Sequence, residues 1–101
     1  MLRDTIQRCH VQSFRHKGLR RFYVSGSLAG IQARHAKRLR MQLAALESAQ
    51  LIEDMDIAGF RLHPLESADR GRWSIWVNGN WRLTFESGGG QAYVLDYEDC
   101  H

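Results

Sequence analysis

The Asn78-Gly79 dipeptide constrains the fold of this chain more than any other feature. It lies between two runs rich in aromatic and β-branched residues, at 71–77 and 80–86. A type I′ turn needs positive φ at both central residues, so Asn-Gly between two such runs predicts a β-hairpin. The glycine-rich stretch 87–90 gives a second reversal before a third run of the same kind. The sequence therefore predicts three consecutive antiparallel strands.

Side-chain alternation assigns two faces to this hairpin. If the loop is Asn78-Gly79, Trp76 opposes Trp81, and directly opposed residues share a face. The face of core character then carries Trp76, Trp81, Leu83 and Phe85. The second, mixed face carries Trp73, Ile75, Arg82, Thr84 and Glu86. A looser loop that includes Asn80 would shift the register and change this assignment.

Two helices are predicted before the hairpin. The first spans 17–25 and ends at Gly26, and the second spans about 31–49. Apolar spacings of three and four residues give the second helix one buried stripe, made of Ile31, His35, Leu39, Leu43 and Leu46. We interpret His35, which lies on that stripe, as a buried structural histidine rather than a ligand.

Two further short strands complete the predicted order. One is Val11–Phe14, and the other is Phe60–Leu65, which Pro64 ends or places at a sheet edge. The order is strand, helix, helix and four strands. This predicts an α+β domain in which two N-terminal helices pack on one face of a small, mainly antiparallel sheet. At 101 residues we expect a single domain at 11–101, preceded by an N-terminal extension at 1–10.

Positive charge is concentrated near the helices. The formal net charge is +3, and more than half of the 14 Lys and Arg residues lie between Arg15 and Arg40. No acidic residue occurs between Asp4 and Glu47. Such a block indicates a polyanion or an acidic partner, or simply a solvated helix face. No run of about 18 apolar residues predicts a membrane span, and residues 1–10 lack the apolar core of a secretion signal.

Cysteine and histidine spacing predicts no metal or cofactor site. The chain has no HExxH or CxxC motif, no phosphate-binding glycine loop and no GxSxG elbow. Cys9 and Cys100 are interpreted as free thiols of a cytoplasmic protein, with a disulfide as the alternative.

A cationic group on the mixed sheet face suits metal-free cleavage of RNA. Its members are Arg61, His63 and Arg82, with the tail residues Asp99 and His101. Arginines neutralise charge that develops on the phosphorane oxygens, while a histidine takes the proton of the 2′-OH. The alternative is that these arginines are solvated strand residues and that His101 is a frayed terminus.

Five segments together resemble a known family. They are Ser13-Phe14-Arg15-His16-Lys17-Gly18-Leu19, Leu62-His63-Pro64-Leu65, Gly71-Arg72-Trp73-Ser74-Ile75, Asn80-Trp81-Arg82-Leu83-Thr84-Phe85 and Tyr97-Glu98-Asp99-Cys100-His101. In this order they are similar to the HigB-type toxins of the RelE/ParE superfamily of toxin–antitoxin systems. The resemblance covers residues 11–101 and implies a RelE-like, microbial-ribonuclease-like fold.

The resemblance also implies an activity and partners. Such a toxin is a cytoplasmic endoribonuclease that cleaves mRNA on the ribosome and inhibits translation and growth. Its partner is a helix-turn-helix, HigA-type antitoxin, through which alone operator DNA is contacted. No cofactor and no membrane partner are implied.

The family's functional positions carry over onto particular residues of this chain. The histidine of its Leu-His-Pro-Leu motif falls on His63, its strand arginine on Arg82, and its closing Asp-Tyr-His on 99–101. Cys100 stands where the family typically has tyrosine. The predicted RNA-binding residues are Arg20, Arg21, Arg34, Lys37, Arg38 and Arg61.

Two other functions are consistent with the same resemblance. One is inhibition of DNA gyrase by binding, as in the ParE toxins. The other is a catalytically silent module whose basic face docks an acidic antitoxin segment. Growth arrest with intact mRNA distinguishes the first from a ribonuclease, and absence of toxicity distinguishes the second.

Overall fold

Two helices precede a four-stranded antiparallel sheet in the computed structural model, which describes residues 11–65, 71–88 and 91–99. The sheet has the strand order β1-β2-β3-β4. Its elements are α1 (Lys17–Ser25), a 3₁₀ helix (Ala33–His35), α2 (Ala36–Ser48), a second 3₁₀ helix (Ile52–Met55), β1 (His63–Pro64), β2 (Arg72–Asn78), β3 (Trp81–Gly88) and β4 (Gln91–Asp99). The predicted α+β class is confirmed. The predicted extension at 1–10 lies outside the described residues.

Helix α1 has the predicted bounds and is capped at both ends. The His16 ring accepts a hydrogen bond from the Leu19 backbone N–H through Nδ1 at 2.9 Å. At the other end Gly26 adopts a left-handed conformation, with φ of 79°, and its N–H donates to the Phe22 carbonyl. Both caps supply partners for backbone groups that a helix end leaves unpaired.

Helix α2 begins later than predicted. The 3₁₀ turn Ala33–His35 precedes it, and the α-helix proper starts at Ala36 because Gln32 is still extended, with ψ of 122°. The predicted stripe is otherwise confirmed. Its members His35, Leu39, Leu43 and Leu46 are buried, and Ile31 is half-buried.

The predicted register of the hairpin is wrong by one residue on β2. Asn78 pairs with Trp81 and Trp76 pairs with Arg82, so the two-residue loop is Gly79-Asn80 and Val77 forms a bulge. Gly79 supplies the positive φ, 55°, that the turn requires. A one-residue slip exchanges the faces of a strand. Trp76 therefore lies with Arg82, whereas Trp73 and Ile75 lie with Phe85 and Leu83 on the core side.

The strand predicted at 60–65 is reduced to His63–Pro64. Arg61 has φ of 53°, which no regular strand accommodates, so regular strand pairing with β2 begins at His63, although the Phe60 carbonyl already accepts the Trp76 backbone N–H. Pro64 lies on an edge strand, as predicted. The strand predicted at 11–14 consists of two isolated parallel bridges to β4.

One face of the sheet forms the hydrophobic core with the helices. From the helices the core includes Leu19, Phe22, Leu39, Leu43 and Leu46, and from the sheet Ile75, Val77, Leu83, Phe85, Leu95 and Tyr97. We call this side of the sheet the core face. In the described part of the chain, no helix is long and apolar enough to cross a membrane.

Candidate active site

The face opposite the core face brings together most of the charged strand residues. Register places His63, Ser74, Thr84 and Asp96 in one row across the four strands. The neighbouring row contains Trp76, Arg82 and Glu98. Directly opposed residues share a face, and so do residues two apart along a strand. We call this surface the polar face: His63, Arg72, Ser74, Trp76, Arg82, Thr84, Glu86, Asp96 and Glu98.

His63 and Arg82 thus lie on the same face, as the sequence predicts, with β2 between their strands. The His63 side chain is exposed on the edge strand, and its Nδ1 lies 2.9 Å from the Arg61 carbonyl oxygen. Arg82 is half-buried, and its Nη1 donates to the carbonyls of Gly79 at 3.2 Å and Trp81 at 3.3 Å. A fixed guanidinium and an exposed imidazole on one surface suit recognition of a phosphodiester.

A buried arginine organises the centre of the polar face. Arg72 is only 3% exposed, and its Nη2 donates to the Thr84 hydroxyl at 2.8 Å and to the Val94 carbonyl at 3.1 Å. Its Nη1 lies 3.6 Å from a carboxylate oxygen of Glu86. Because a buried charge is costly unless it is paired and hydrogen-bonded, these contacts explain how an arginine is accommodated inside a sheet.

Glu98 is a carboxylate of the polar face that the sequence prediction omits. The Thr84 hydroxyl donates to Glu98 Oε2 at 2.6 Å, and Glu98 is the cross-strand neighbour of Arg82. Pairing of β4 with β3 would have identified it, since the residue that opposes Arg82 must share its face. The sequence prediction concerned the tail instead and selected Asp99.

Asp99 does not join the polar face. It pairs with Trp81 and alternates with Glu98, so it projects from the other side of β4. There it lines a shallow depression with Arg34, Asn78, Gly79, Asn80 and Trp81. His101, the second histidine of the predicted site, and Cys100 lie outside the described residues.

Trp76 lies between two arginines at the edge of the polar face. The Cζ atom of Arg61 is 4.4 Å from the centroid of the Trp76 ring, and that of Arg38 is 5.3 Å away. Arg38 also donates to the Gly59 carbonyl at 2.6 Å and to the Trp76 carbonyl at 3.4 Å. Arg38 therefore ties α2 to the start of the polar face, whereas the Arg61 side chain is exposed.

The other predicted RNA-binding residues lie on the helical side of the molecule. Arg20, Arg21, Arg34 and Lys37 are all exposed. Arg20 and Arg21 belong to α1, and Lys37 belongs to the first turn of α2. They form a cationic surface separate from the polar face, and within it Arg20 and Arg21 line one depression.

His35 is structural, as the sequence predicts. It is 1% exposed, and its Nδ1 lies 2.6 Å from the Tyr97 hydroxyl. Burial, and secondarily the charge of Arg34, lower the pKa of His35. Burial likewise raises the pKa of Tyr97. Trp81 stacks on Tyr97, with ring centroids 4.5 Å apart, so this cluster supports the end of β4 that leads to Asp99.

Metal-binding residue types are dispersed in the structure. Among residues 11–65, 71–88 and 91–99, no three His, Cys, Asp or Glu side chains form a group that could hold a metal ion.

Comparison with known proteins bears on the same residues. A family model for the RelE-like toxin of the type II toxin–antitoxin system HigB matches residues 12–101. The chain is also 40% identical over 91 residues to "Endoribonuclease HigB" of Proteus vulgaris, an alignment that covers 90% of this chain and 99% of that protein. The matched region includes both helices and all four strands of the sheet. The chain therefore belongs to the HigB family of RelE-like toxins from type II toxin–antitoxin systems.

Proposed function

We propose that this toxin is a cytoplasmic endoribonuclease that cleaves mRNA on the ribosome by attack of the RNA's own 2′-hydroxyl. One observation carries the proposal: His63 and Arg82 lie on a single polar face, where Arg82 is opposed by a hydrogen-bonded carboxylate, Glu98. The similarity to a protein named as an endoribonuclease supports the reaction class.

The reaction needs two proton transfers and charge stabilisation. A base removes the proton of the 2′-hydroxyl, the O2′–P bond forms, and the P–O5′ bond breaks as an acid protonates the leaving oxygen. His63 and His101 are the two candidates for these roles, and Arg82 neutralises the phosphorane oxygens. Asp99 orients the tail that carries His101. The products are a 2′,3′-cyclic phosphate and a 5′-hydroxyl, and this chemistry uses the substrate's hydroxyl as its nucleophile.

Binding to the ribosome is a separate task, which we assign to exposed cations. They are Arg20, Arg21, Arg34, Lys37 and Arg61. Arg38, which the sequence also predicts, is half-buried and donates to the carbonyls of Gly59 and Trp76. Contacts of exposed cations with phosphates are independent of sequence and weaken with salt. They position the toxin, while the polar face performs the chemistry.

A type II toxin implies an antitoxin partner. We propose that the partner is a helix-turn-helix protein of the HigA type, and that operator DNA is contacted only through it. The uninterrupted basic block of the helices complements an acidic segment of such a partner.

The test is induced expression with mapping of the 5′ ends of cellular mRNA. Wild type should produce in-frame breaks within codons, with 5′-hydroxyl ends. His63→Ala, Arg82→Ala and His101→Ala should each reduce single-turnover cleavage on purified ribosomes by about 10²–10⁴-fold. Arg40→Ala, which removes a guanidinium stacked on Phe22 in the helical layer, is the matched control and should retain cleavage.

Two results would overturn the proposal. Growth arrest with DNA damage and intact mRNA would indicate a gyrase inhibitor. Unchanged cleavage in both His63→Ala and His101→Ala would remove both candidate proton-transfer residues from the mechanism.

A further inference from the structure

Arg61 has a backbone conformation that non-glycine residues seldom adopt. Its φ is 53°, and within the described ranges Val94 is the one other non-glycine residue with positive φ. Arg61 is two residues before His63, and such conformations concentrate at functional sites, where the surrounding structure enforces them.

Contacts on both sides hold the backbone of Arg61 in place. Before it, Phe60 is 1% exposed, and its carbonyl accepts the Trp76 backbone N–H at 2.7 Å. After it, His63 and Pro64 pair with Ser74 and Trp73 of β2. The chain must therefore turn between two fixed points within residues 61 and 62.

The side chain of Arg61 reinforces this turn. Its guanidinium carbon is 4.4 Å from the Trp76 ring centroid, within the range of a cation–π interaction. Trp76 is itself fixed, because its indole N–H donates to the Gly79 carbonyl at 2.9 Å. The guanidinium thus rests on a ring whose position the hairpin determines.

The turn directs the Arg61 carbonyl to the His63 ring. The carbonyl oxygen lies 2.9 Å from Nδ1, and a carbonyl can only accept a hydrogen bond. Nδ1 must therefore carry the proton, and in the neutral ring Nε2 has the free lone pair. Free histidine favours the opposite tautomer, with the proton on Nε2, so this contact selects the minor form.

We propose that the turn at residues 61 and 62, which the left-handed backbone of Arg61 closes between Phe60 and β1, holds the Arg61 carbonyl against His63 and fixes the Nδ1–H tautomer, which makes Nε2 of His63 the general base toward the RNA 2′-hydroxyl. Arg61 is a positioning residue that acts through its carbonyl. The tautomer follows from the contact itself, while the role as base rests on the proposed ribonuclease function. In the reaction, Nε2 takes the 2′-hydroxyl proton as the O2′–P bond forms. The Nδ1–H stays on the Arg61 carbonyl and stabilises the resulting imidazolium.

Three substitutions distinguish the effect of the Arg61 backbone conformation from the effect of its guanidinium. Arg61→Gly and Arg61→Asn remove the guanidinium but tolerate positive φ. Arg61→Val removes it and disfavours positive φ, because its side chain is branched at Cβ. The comparison of Arg61→Val with Arg61→Gly is therefore matched for loss of charge and differs in backbone preference.

The first measurement is the tautomer of His63 by ¹⁵N NMR of the imidazole nitrogens in the folded, full-length protein at alkaline pH. His63→Asn identifies the signal among the five histidines. Wild type, Arg61→Gly and Arg61→Asn should show Nδ1 protonated, and Arg61→Val should shift toward the Nε2–H form. A wild-type spectrum with Nε2 protonated overturns the proposal outright, whatever the variants do. An Arg61→Val spectrum identical to wild type overturns the role of the backbone.

The second measurement is single-turnover cleavage on purified ribosomes. Arg61→Val should be at least about tenfold slower than Arg61→Gly. In Arg61→Val most neutral His63 rings would carry the proton on Nε2, which then could not accept the proton of the 2′-hydroxyl. Equal rates, despite different tautomers, would overturn the assignment of His63 as base. If wild type cleaves no RNA, the proposed function fails, and the tautomer spectrum still decides the structural part.

Discussion

The native structure disfavours protonation of the buried His35. Burial, and secondarily Arg34, lower its pKa relative to the unfolded chain. The unfolded state therefore binds the proton more readily, and the free energy of unfolding should fall as pH decreases below about 6.5 until the lowered native pKa is passed. Urea titrations from pH 8 to pH 5 should detect this loss.

The variant His35→Asn tests this source of pH dependence. Asparagine does not titrate and retains an oxygen that can accept from the Tyr97 hydroxyl, which lies against Nδ1 in the native protein. Its free energy of unfolding should vary less between pH 7 and pH 5 than that of wild type. A slope unchanged in His35→Asn would contradict the prediction.

At the scale of an element, Gly18 decides how α1 meets the following loop. A Cβ at Gly18 would lie 2.6 Å from the Gly30 carbonyl oxygen and 2.7 Å from the Gly30 Cα, both backbone atoms. Alanine normally stabilises a helix by about 0.5–1 kcal/mol relative to glycine. Here we expect the opposite sign, a destabilisation of about 1–3 kcal/mol, because two backbone segments must separate.

Thermal and urea unfolding of Gly18→Ala measure this effect. Ser25→Ala, at the other end of α1, is the control for alanine in the same helix, and it should change stability by less than about 0.5 kcal/mol. Greater stability in Gly18→Ala would show that the loop yields and that helix propensity decides.

Sequence patterns predict the bounds of α1 but not the hairpin register or the length of β1. The bounds of α1 follow from its apolar spacing and Gly26, which are local signals. The hairpin register cannot be predicted from such local signals. The loop is Gly79-Asn80 rather than Asn78-Gly79, and the bulge at Val77 shifts the pairing by one residue. That slip moves Trp76 from the predicted core face to the polar face and Ile75 from the mixed face to the core face, because a shift of one residue exchanges the two faces of a strand. The shortening of β1 depends on the conformation of Arg61, which no composition signal marks.

At the scale of the whole molecule, the polar face is a product of strand pairing. His63 and Arg82 are recognisable from the sequence because their motifs are distinctive. Arg72, Thr84 and Glu98 are not, because their importance lies in hydrogen bonds between strands that are distant in sequence. Asp99 adjoins Glu98 in the sequence, but alternation sends it to the other side of β4.

The cations of the molecule divide into structural and exposed groups, and neighbours in sequence can belong to different groups. Arg38 donates to the carbonyls of Gly59 and Trp76, whereas Lys37, one residue earlier, is exposed. Arg38→Gln should lower the free energy of unfolding by about 1–3 kcal/mol, because the shorter, uncharged side chain cannot reproduce the guanidinium hydrogen bonds to the carbonyls of Gly59 and Trp76. Lys37→Gln should change it by less than about 0.5 kcal/mol.

For ribosome binding we expect the larger effect from Lys37→Gln and the smaller effect from Arg38→Gln. If Lys37 contacts phosphates, its replacement reduces the slope of log affinity against log salt concentration by roughly one, with stability unchanged. Sedimentation with purified ribosomes at several salt concentrations measures that slope for a catalytically inactive His63→Ala background. Arg38→Gln should keep the slope, because its guanidinium is occupied by protein carbonyls. A reduced slope in Arg38→Gln without loss of stability would instead assign Arg38 to the RNA-binding surface, as the sequence alone predicts.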